Sequence, residues 1–282
     1  MRDEEDIIGA MIEHHLREGV HRIFVTDNNS IDSSRDIASK YPEVVLSSSD
    51  DMTHNQEVHV TRMAREAAMF SPDWIVHMDA DEFWCGLQTI NNPPEQDAAW
   101  VIRTYLHFPV SGIVDDRIAP LRKMRHYADF LGLAPEFKII HRPNEIIEIK
   151  HGNHGCVNDF NIGYCHSVYR HHYPVRSFRQ FEKKVVNGTR AMKARGMVCQ
   201  RWYGWLEEYD KGNLREIYNS MVCSWEVMIA SGANLDVLSS MLESYKVAPA
   251  LVNRIRQEMH AKSQLPNIET WVPRGWGSKL HI

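Results

Sequence analysis

Apolar residues recur at helical spacing over residues 6–18, where Ile7, Ile8, Met11, Ile12 and Leu16 share one face. Asp3, Glu4, Glu5 and Asp6 put negative charge at the start of that helix, and Gly19 supplies its stop. The pattern then shortens. Residues 21–26 (HRIFVT) read as a buried strand ending at Asp27, followed by the turn-forming run Asn28-Asn29-Ser30-Ile31-Asp32. A helix over 34–40, a strand over 44–46 and a helix over 55–70 come next, the last with Val58, Met63, Ala67 and Phe70 expected inward. Trp74-Ile75-Val76 reads as a further strand. This β-α-β-α-β order argues for a parallel sheet with right-handed crossovers.

The second half changes character. Residues 99–108 predict a strand, 137–141 and 146–150 a hairpin around Arg142-Pro143-Asn144-Glu145, and 164–170 another strand. From Ser177 onward helical spacing dominates, first with Phe178, Phe181, Val185 and Val186, later with Trp225, Met228 and Ile229. The reading is an α/β region over 1–190, with a helical C-terminal extension over 191–282 packed on it.

Composition removes several classes of function. A net charge of −5 over 282 residues gives no global sign of a nucleic-acid partner. There is no signal peptide and no apolar run of about 18 residues, so no transmembrane span is expected. The five cysteines are odd in number and form no CxxC pair, which favours reduced thiols and a reducing compartment.

The candidate chemistry lies in residues 73–84, DWIVHMDADEFW, where an apolar run gives way to Asp79, Asp81 and Glu82. Ligands in open parallel sheets bind at the carboxyl ends of strands, and both Asp27 and Asp79 are expected there. Residues i and i+2 of an extended chain face the same side, so Asp79 and Asp81 can offer oxygens to one hard divalent cation. Three carboxylates within four positions repel one another unless positive charge is near. A solvated turn after a strand is the bland alternative.

Five stretches together resemble the GT-A-fold glycosyltransferases of family 2, in the bacterial family 2-like branch: Arg2-Asp3-Glu4, the helix end from His15 to Gly19-Val20, the loop Asp27–Asp32, Asp79-Ala80-Asp81-Glu82-Phe83, and His172-Tyr173-Pro174-Val175-Arg176-Ser177 with Phe181 and Lys184. The resemblance covers roughly residues 1–190. It implies a Rossmann-like nucleotide-diphospho-sugar transferase fold with a mixed central sheet. It also implies an inverting, non-processive transfer from a UDP- or GDP-type nucleotide-sugar donor to a hydroxyl of a glycan or lipid-linked acceptor. The setting it implies is bacterial cell-surface polysaccharide synthesis in the cytoplasm or at the inner membrane face. Carried over by residue, Arg2, Glu4, Asp27, Asn29, Asp32, Asp79, Lys138 and Arg176 would meet the donor, and Asp79, Asp81 and His172 would hold Mn²⁺ or Mg²⁺. An exposed surface position is the alternative for Lys138 and Arg176, and a core histidine for His172.

The chain departs from that pattern at its start. Asp3 replaces the usual Asn, and Met1 stands where the family's first apolar strand has already ended, so the sheet is expected to lack that strand or to substitute for it. Gln200-Arg201-Trp202 has the wrong spacing for a processive synthase. No acid declares itself as general base. His154 in the glycine-flanked loop 151–155 and Asp159 are the candidates, with Asp115-Asp116 the weaker choice. Three other readings compete: a metal-dependent phosphoesterase or nuclease, a catalytically inactive nucleotide-sugar-binding module, and a structural zinc site among His151, His154, Cys156, Cys165, His166, His171 and His172.

Overall fold

The computed structural model describes residues 1–50, 55–90, 98–109, 124, 126–129, 137–144, 147–153, 155–157, 161–231 and 269–270. The protein is mixed α/β. It divides into two compact units, one of Met1–Thr104, Pro135–His171 and Pro273–Ile282, the other of Tyr105–Ala134 and His172–Val272. Each is described in turn.

In the first unit, helix α1 (Ile8–Arg17) buries Ile8, Met11 and Ile12, as its spacing predicts. Strand β1 (Ile23–Asp27) pairs in parallel with β2 (Val44–Ser48), from Ile23 opposite Val44 to Asp27 opposite Ser48, with the short helix α2 (Ser34–Ala38) between them in sequence. On the other side of β1, the Met1 amine donates to the Thr26 carbonyl (2.7 Å) and the Asn28 amide donates to the Met1 carbonyl (2.9 Å). These two bonds bracket Asp27 as a parallel neighbour would.

Helix α3 (Gln56–Ala68) follows. Its inward face matches the expectation at Ala67 and differs elsewhere: Ala64 and Ala68 are buried with it, while Val58 and Phe70 are exposed. Small side chains let α3 lie close to Phe24 of β1 and Ile75, so the larger apolar residues turn away. Phe70 packs at the surface instead, its ring beside Phe24 and under the Arg22 guanidinium, 4.2 Å from the ring centre.

The strand carrying the acidic run is shorter than the apolar pattern suggests. β3 (Ile75–Val76) ends early, and Glu82 begins a new strand, β4 (Glu82–Cys85). β3 does not extend the parallel pair. It runs antiparallel to β7 (Phe137–His141), which also pairs antiparallel with Ala98–Val101 of β5 (Ala98–His107). β4 pairs with β8 (Asn161–His172), and β8 also pairs with β5. The hairpin expected at 137–150 is absent, because both edges of β7 are already taken by β3 and β5. Ile149 forms its bridge with Cys156 across the turn His151–Asn153 instead.

The second unit holds the end of β5, where Tyr105–His107 pair with β6 (His126–Asp129), and β6 pairs with β9 (Glu269–Thr270). Its helices are α4 (Phe178–Ala194), α5 (Gln200–Asp210) and α6 (Leu214–Ser231), joined through Phe181, Val185, Leu206, Leu214, Tyr218 and Met221. Ser177 caps α4 by accepting the Gln180 amide, as an N-terminal Ser should. No helix of the described residues is long and apolar enough to cross a membrane.

Gly86 closes β4 at φ +81°, and a Cβ there would sit 2.1 Å from the Ser167 carbonyl oxygen of β8. Gly86→Ala is expected to cost about 3 kcal/mol or more, from left-handed backbone plus overpacking against a fixed backbone atom. Urea denaturation checks this, and an unchanged midpoint would contradict the close approach.

Candidate functional site

One face of the sheet explains the acidic run. Trp84, Ile102, Ile140 and Val168 pack together from β4, β5, β7 and β8. Two positions along each of those strands, on the same face by the period of an extended chain, stand Glu82, Thr104, Lys138 and Arg170. An apolar layer thus lies beside a polar one, and the polar one is closed. The Glu82 side chain is 1% exposed, Lys138 1% and Arg170 0%. Glu82 Oε1 accepts from Lys138 Nζ at 2.9 Å and from Arg170 Nη1, while its Oε2 accepts from the Asp79 amide (3.3 Å) and Trp84 Nε1 (3.2 Å). Four donors therefore meet the roughly four lone-pair sites of a carboxylate. Arg170 Nε donates onward to Thr104 Oγ1 at 2.9 Å.

Asp79 sits where this layer reaches solvent, its side chain 33% exposed. Its Oδ2 accepts from Lys138 Nζ at 2.9 Å. Its Oδ1 accepts from Gln56 Nε2 (2.9 Å) and Asn153 Nδ2 (3.1 Å). Gln56 also takes the Gly152 amide at 3.2 Å, and the Gly152 carbonyl accepts the third Lys138 donor at 3.1 Å. Gly152 (φ 75°) and Asn153 (φ 60°) are both left-handed, which turns the loop after Lys150 back toward Asp79. Burial pushes the Lys138 ammonium down, but Glu82 and then Asp79 more than offset it, and it ends above the ordinary lysine range. The exposed alternative for Lys138 is therefore excluded. Its three N–H groups are all taken within the protein, so it acts on anything bound at Asp79 through its field.

Asp81, between Asp79 and Glu82, is also buried. The answer to the sequence puzzle is that internal cations compensate the run. Lys138 and Arg170 do for Glu82 and Asp79 what the sequence reading assigned to a metal ion alone.

The other predicted donor residues of the first unit gather at the end of β1. The Asp3 amide donates to Ser30 Oγ (3.1 Å), the Glu4 amide to Ser34 Oγ (2.7 Å) and the Glu5 amide to Asp32 Oδ2 (3.2 Å). In return Asp3 Oδ1 accepts the Ile31 amide at 2.9 Å. The segment holding Arg2 and Glu4 is thus clipped along the loop from Asp27 to Asp32. Asp32 is occupied in shaping that loop, since its Oδ1 also accepts from the Ser34 amide and hydroxyl. Asn29 stands at φ 53°, a conformation that Asn tolerates. Asp27 is buried, with Ser30 N at 3.4 Å from Oδ1 and Arg35 Nη1 at 3.8 Å from Oδ2. Burial lowers the pKa of the Met1 amine, while Glu4, Asp27 and Asp79 all oppose that shift.

Behind β4, adjacent histidines read the two backbone groups of Trp84. The Trp84 amide donates to His15 Nε2 at 3.1 Å, and His14 Nε2 donates to the Trp84 carbonyl at 2.8 Å. His15 Nδ1–H then donates to the Met11 carbonyl at 2.8 Å, which fixes the neutral tautomer. Burial, then His14, holds the His15 pKa down to about 3. His77 meets His141 with their Nε2 atoms 2.9 Å apart, and burial, then His141 and Lys138, hold it well below the usual range.

Arg176 and His172 belong to the second unit. Arg176 is fully buried, contrary to the surface alternative. It donates from Nη1 to the Tyr173 carbonyl at 3.0 Å, while the Tyr218 hydroxyl donates to its carbonyl at 3.0 Å. Tyr173 stacks on His107 with ring centres 4.0 Å apart. His172 closes β8 and is half-buried. His154, Asp159 and Asp115-Asp116 lie outside the described residues. The zinc grouping suggested by the histidine-rich stretch is dispersed where it is described. His151 faces Glu57, Cys156 packs with Ile139, Ile147 and Ile149, and His171 meets Tyr169 edge-on. Sequence reasoning missed Arg170, Gln56 and Asn153. Arg170 carried a signal, as an arginine inside a strand otherwise fit for burial. Gln56 and Asn153 carried none.

Compared with known protein-family models and with characterised proteins, the sequence matches none.

Because His15 and His77 are held neutral, each binds fewer protons folded than unfolded below pH about 6.5. Their folded pKa values lie below the unfolded one, so stability falls as pH drops through that window. Each is expected to cost about 2 kcal/mol between pH 6.5 and 5. Urea midpoints across that range check it, and a His15→Gln variant should show a shallower slope.

Proposed function

We propose that the protein is a metal-dependent glycosyltransferase of GT-A type, taking a sugar from a nucleotide-diphosphate donor to an acceptor hydroxyl. The observation that carries this reading is the arrangement at the end of β1. Asp27 closes a parallel strand, and residues 3–5 are clipped to the loop that follows it, through Ser30, Asp32 and Ser34. The crevice at strand ends is where open α/β sheets take ligands.

A hard divalent cation suits Asp79, which reaches solvent and has three of its roughly four lone-pair sites filled. Asp81, buried in the turn that runs from Asp79 to Glu82, would supply the second carboxylate. Asp81 and Asp79 would hold Mn²⁺ or Mg²⁺, which when bound neutralises charge on the donor diphosphate. Lys138 and Arg170 keep Glu82 from competing for that ion. Asp27, with Arg35 3.8 Å away, would meet the nucleoside. The general base stays with His154 or Asp159.

The wild-type protein should be thermally stabilised by a nucleoside diphosphate only when Mn²⁺ is present, since a ligand raises apparent stability by mass action. Asp81→Asn should remove that stabilisation and lower sugar transfer by about a hundredfold or more, the scale of losing a group that stabilises developing charge. Stabilisation without any transfer would favour the inactive binding module. Wild-type turnover in Asp81→Asn would end the metal assignment.

A further inference from the structure

Helix α1 and strand β4 bring together three side chains that the proposed transfer does not use. His14, Glu18 and Cys85 each offer a ligand atom, all lying within 4.8 Å of one another, and all three residues are buried. We infer that they form a buried site for a thiophilic divalent cation of the zinc type, which ties the end of α1 to β4. The inference is independent of the glycosyltransferase reading.

The geometry carries it. His14 and Glu18 are one helical turn apart, so their side chains point the same way from α1. Cys85 Sγ lies 3.8 Å from His14 Nε2. Tetrahedral zinc, with bonds of about 2.3 Å to sulfur and about 2.0 Å to nitrogen, sets those atoms about 3.5 Å apart. That pair has to close by a few tenths of an ångström, and the pairs that include Glu18 lie within 4.8 Å. The residue types are chemically selective: a thiolate, an imidazole and one carboxylate suit Zn²⁺ better than the hard Mg²⁺ expected at Asp79 and Asp81. All three side chains are buried, Glu18 at 1% exposed, and Glu18 Oε2 accepts from the Gly86 amide at 2.9 Å. Cys156, by contrast, sits among aliphatic side chains, where a thiol behaves as a small apolar group.

Proton accounting closes. On binding, the Cys85 thiol loses its proton to solvent, and the ring proton of His14 moves from Nε2 to Nδ1. The ion replaces the Nε2–H bond to the Trp84 carbonyl. The three protein ligands leave one tetrahedral position for water. Metal uptake therefore releases protons and weakens as pH falls.

Cobalt tests the site, because Co²⁺ bound to thiolate shows a near-ultraviolet charge-transfer band that oxygen ligands do not give. Full-length protein, stripped with a chelator and titrated with Co²⁺, should develop that band at one equivalent. Cys85→Ser should lose the band while retaining any ion bound at the aspartates, and Glu18→Gln should weaken binding at least tenfold. Should Cys85→Ser not fold, the wild type answers alone: one equivalent of Zn²⁺ should slow alkylation of Cys85, read by peptide mass, at least tenfold. A wild-type complex without the band, a band that survives Cys85→Ser, or alkylation indifferent to Zn²⁺ would overturn the inference.

Discussion

Glu82 is a carboxylate at the centre of a sheet face, and a lone buried charge there would be too costly to keep. Much of the first unit follows from how that charge is answered. Lys138 on β7 and Arg170 on β8 approach one carboxylate oxygen, while the Asp79 amide and the Trp84 indole take the other. The four strands that supply Trp84, Ile102, Ile140 and Val168 to the apolar layer supply Glu82, Thr104, Lys138 and Arg170 to the polar one. Sliding any of them by one residue would turn both layers to the opposite face. A buried ion network adds little net stability against an apolar core of the same shape, but breaking one member is severe. Its consequence here is register.

That register reaches the surface through Asp79. Lys138 bridges Glu82 and Asp79, and Gln56 and Asn153 complete the hold from α3 and the turn after β7. The exposed carboxylate is fixed in orientation, as an ion-binding group on a rigid element should be. Behind the same strand, His14 and His15 fix the backbone of Trp84 with opposite hydrogen-bond polarity. β4 is therefore held along both its side chains and its main chain.

Much of this was legible in the sequence. The helical face of α1 and the strands β1, β2, β5 and β8 follow from periodicity, whereas the grouping of Arg2 and Glu4 with the loop 27–32 comes only from the family resemblance. Other features were not. The helix α3 presents alanines because close approach outweighs apolar burial, which periodicity does not register. β4 was hidden because Glu82 looks like the end of a strand when its partners, Lys138 and Arg170, lie 56 and 88 positions further along. A carboxylate's need for compensation can be read locally, but the group that meets it is set by long-range strand pairing. For the same reason the run alone does not show that Lys138 and Arg170 answer Glu82, or that Lys138 also answers Asp79.

The most direct test of the buried network is a double-mutant cycle on Glu82 and Arg170, followed by urea denaturation. Arg170→Met and Glu82→Gln should each cost about 3–5 kcal/mol, because each leaves buried polar groups uncompensated. The double variant should lose much less than the sum, with a coupling of about 2 kcal/mol or more. Additive losses would contradict the account, since they would mean that Glu82 and Arg170 are buried side by side without depending on each other.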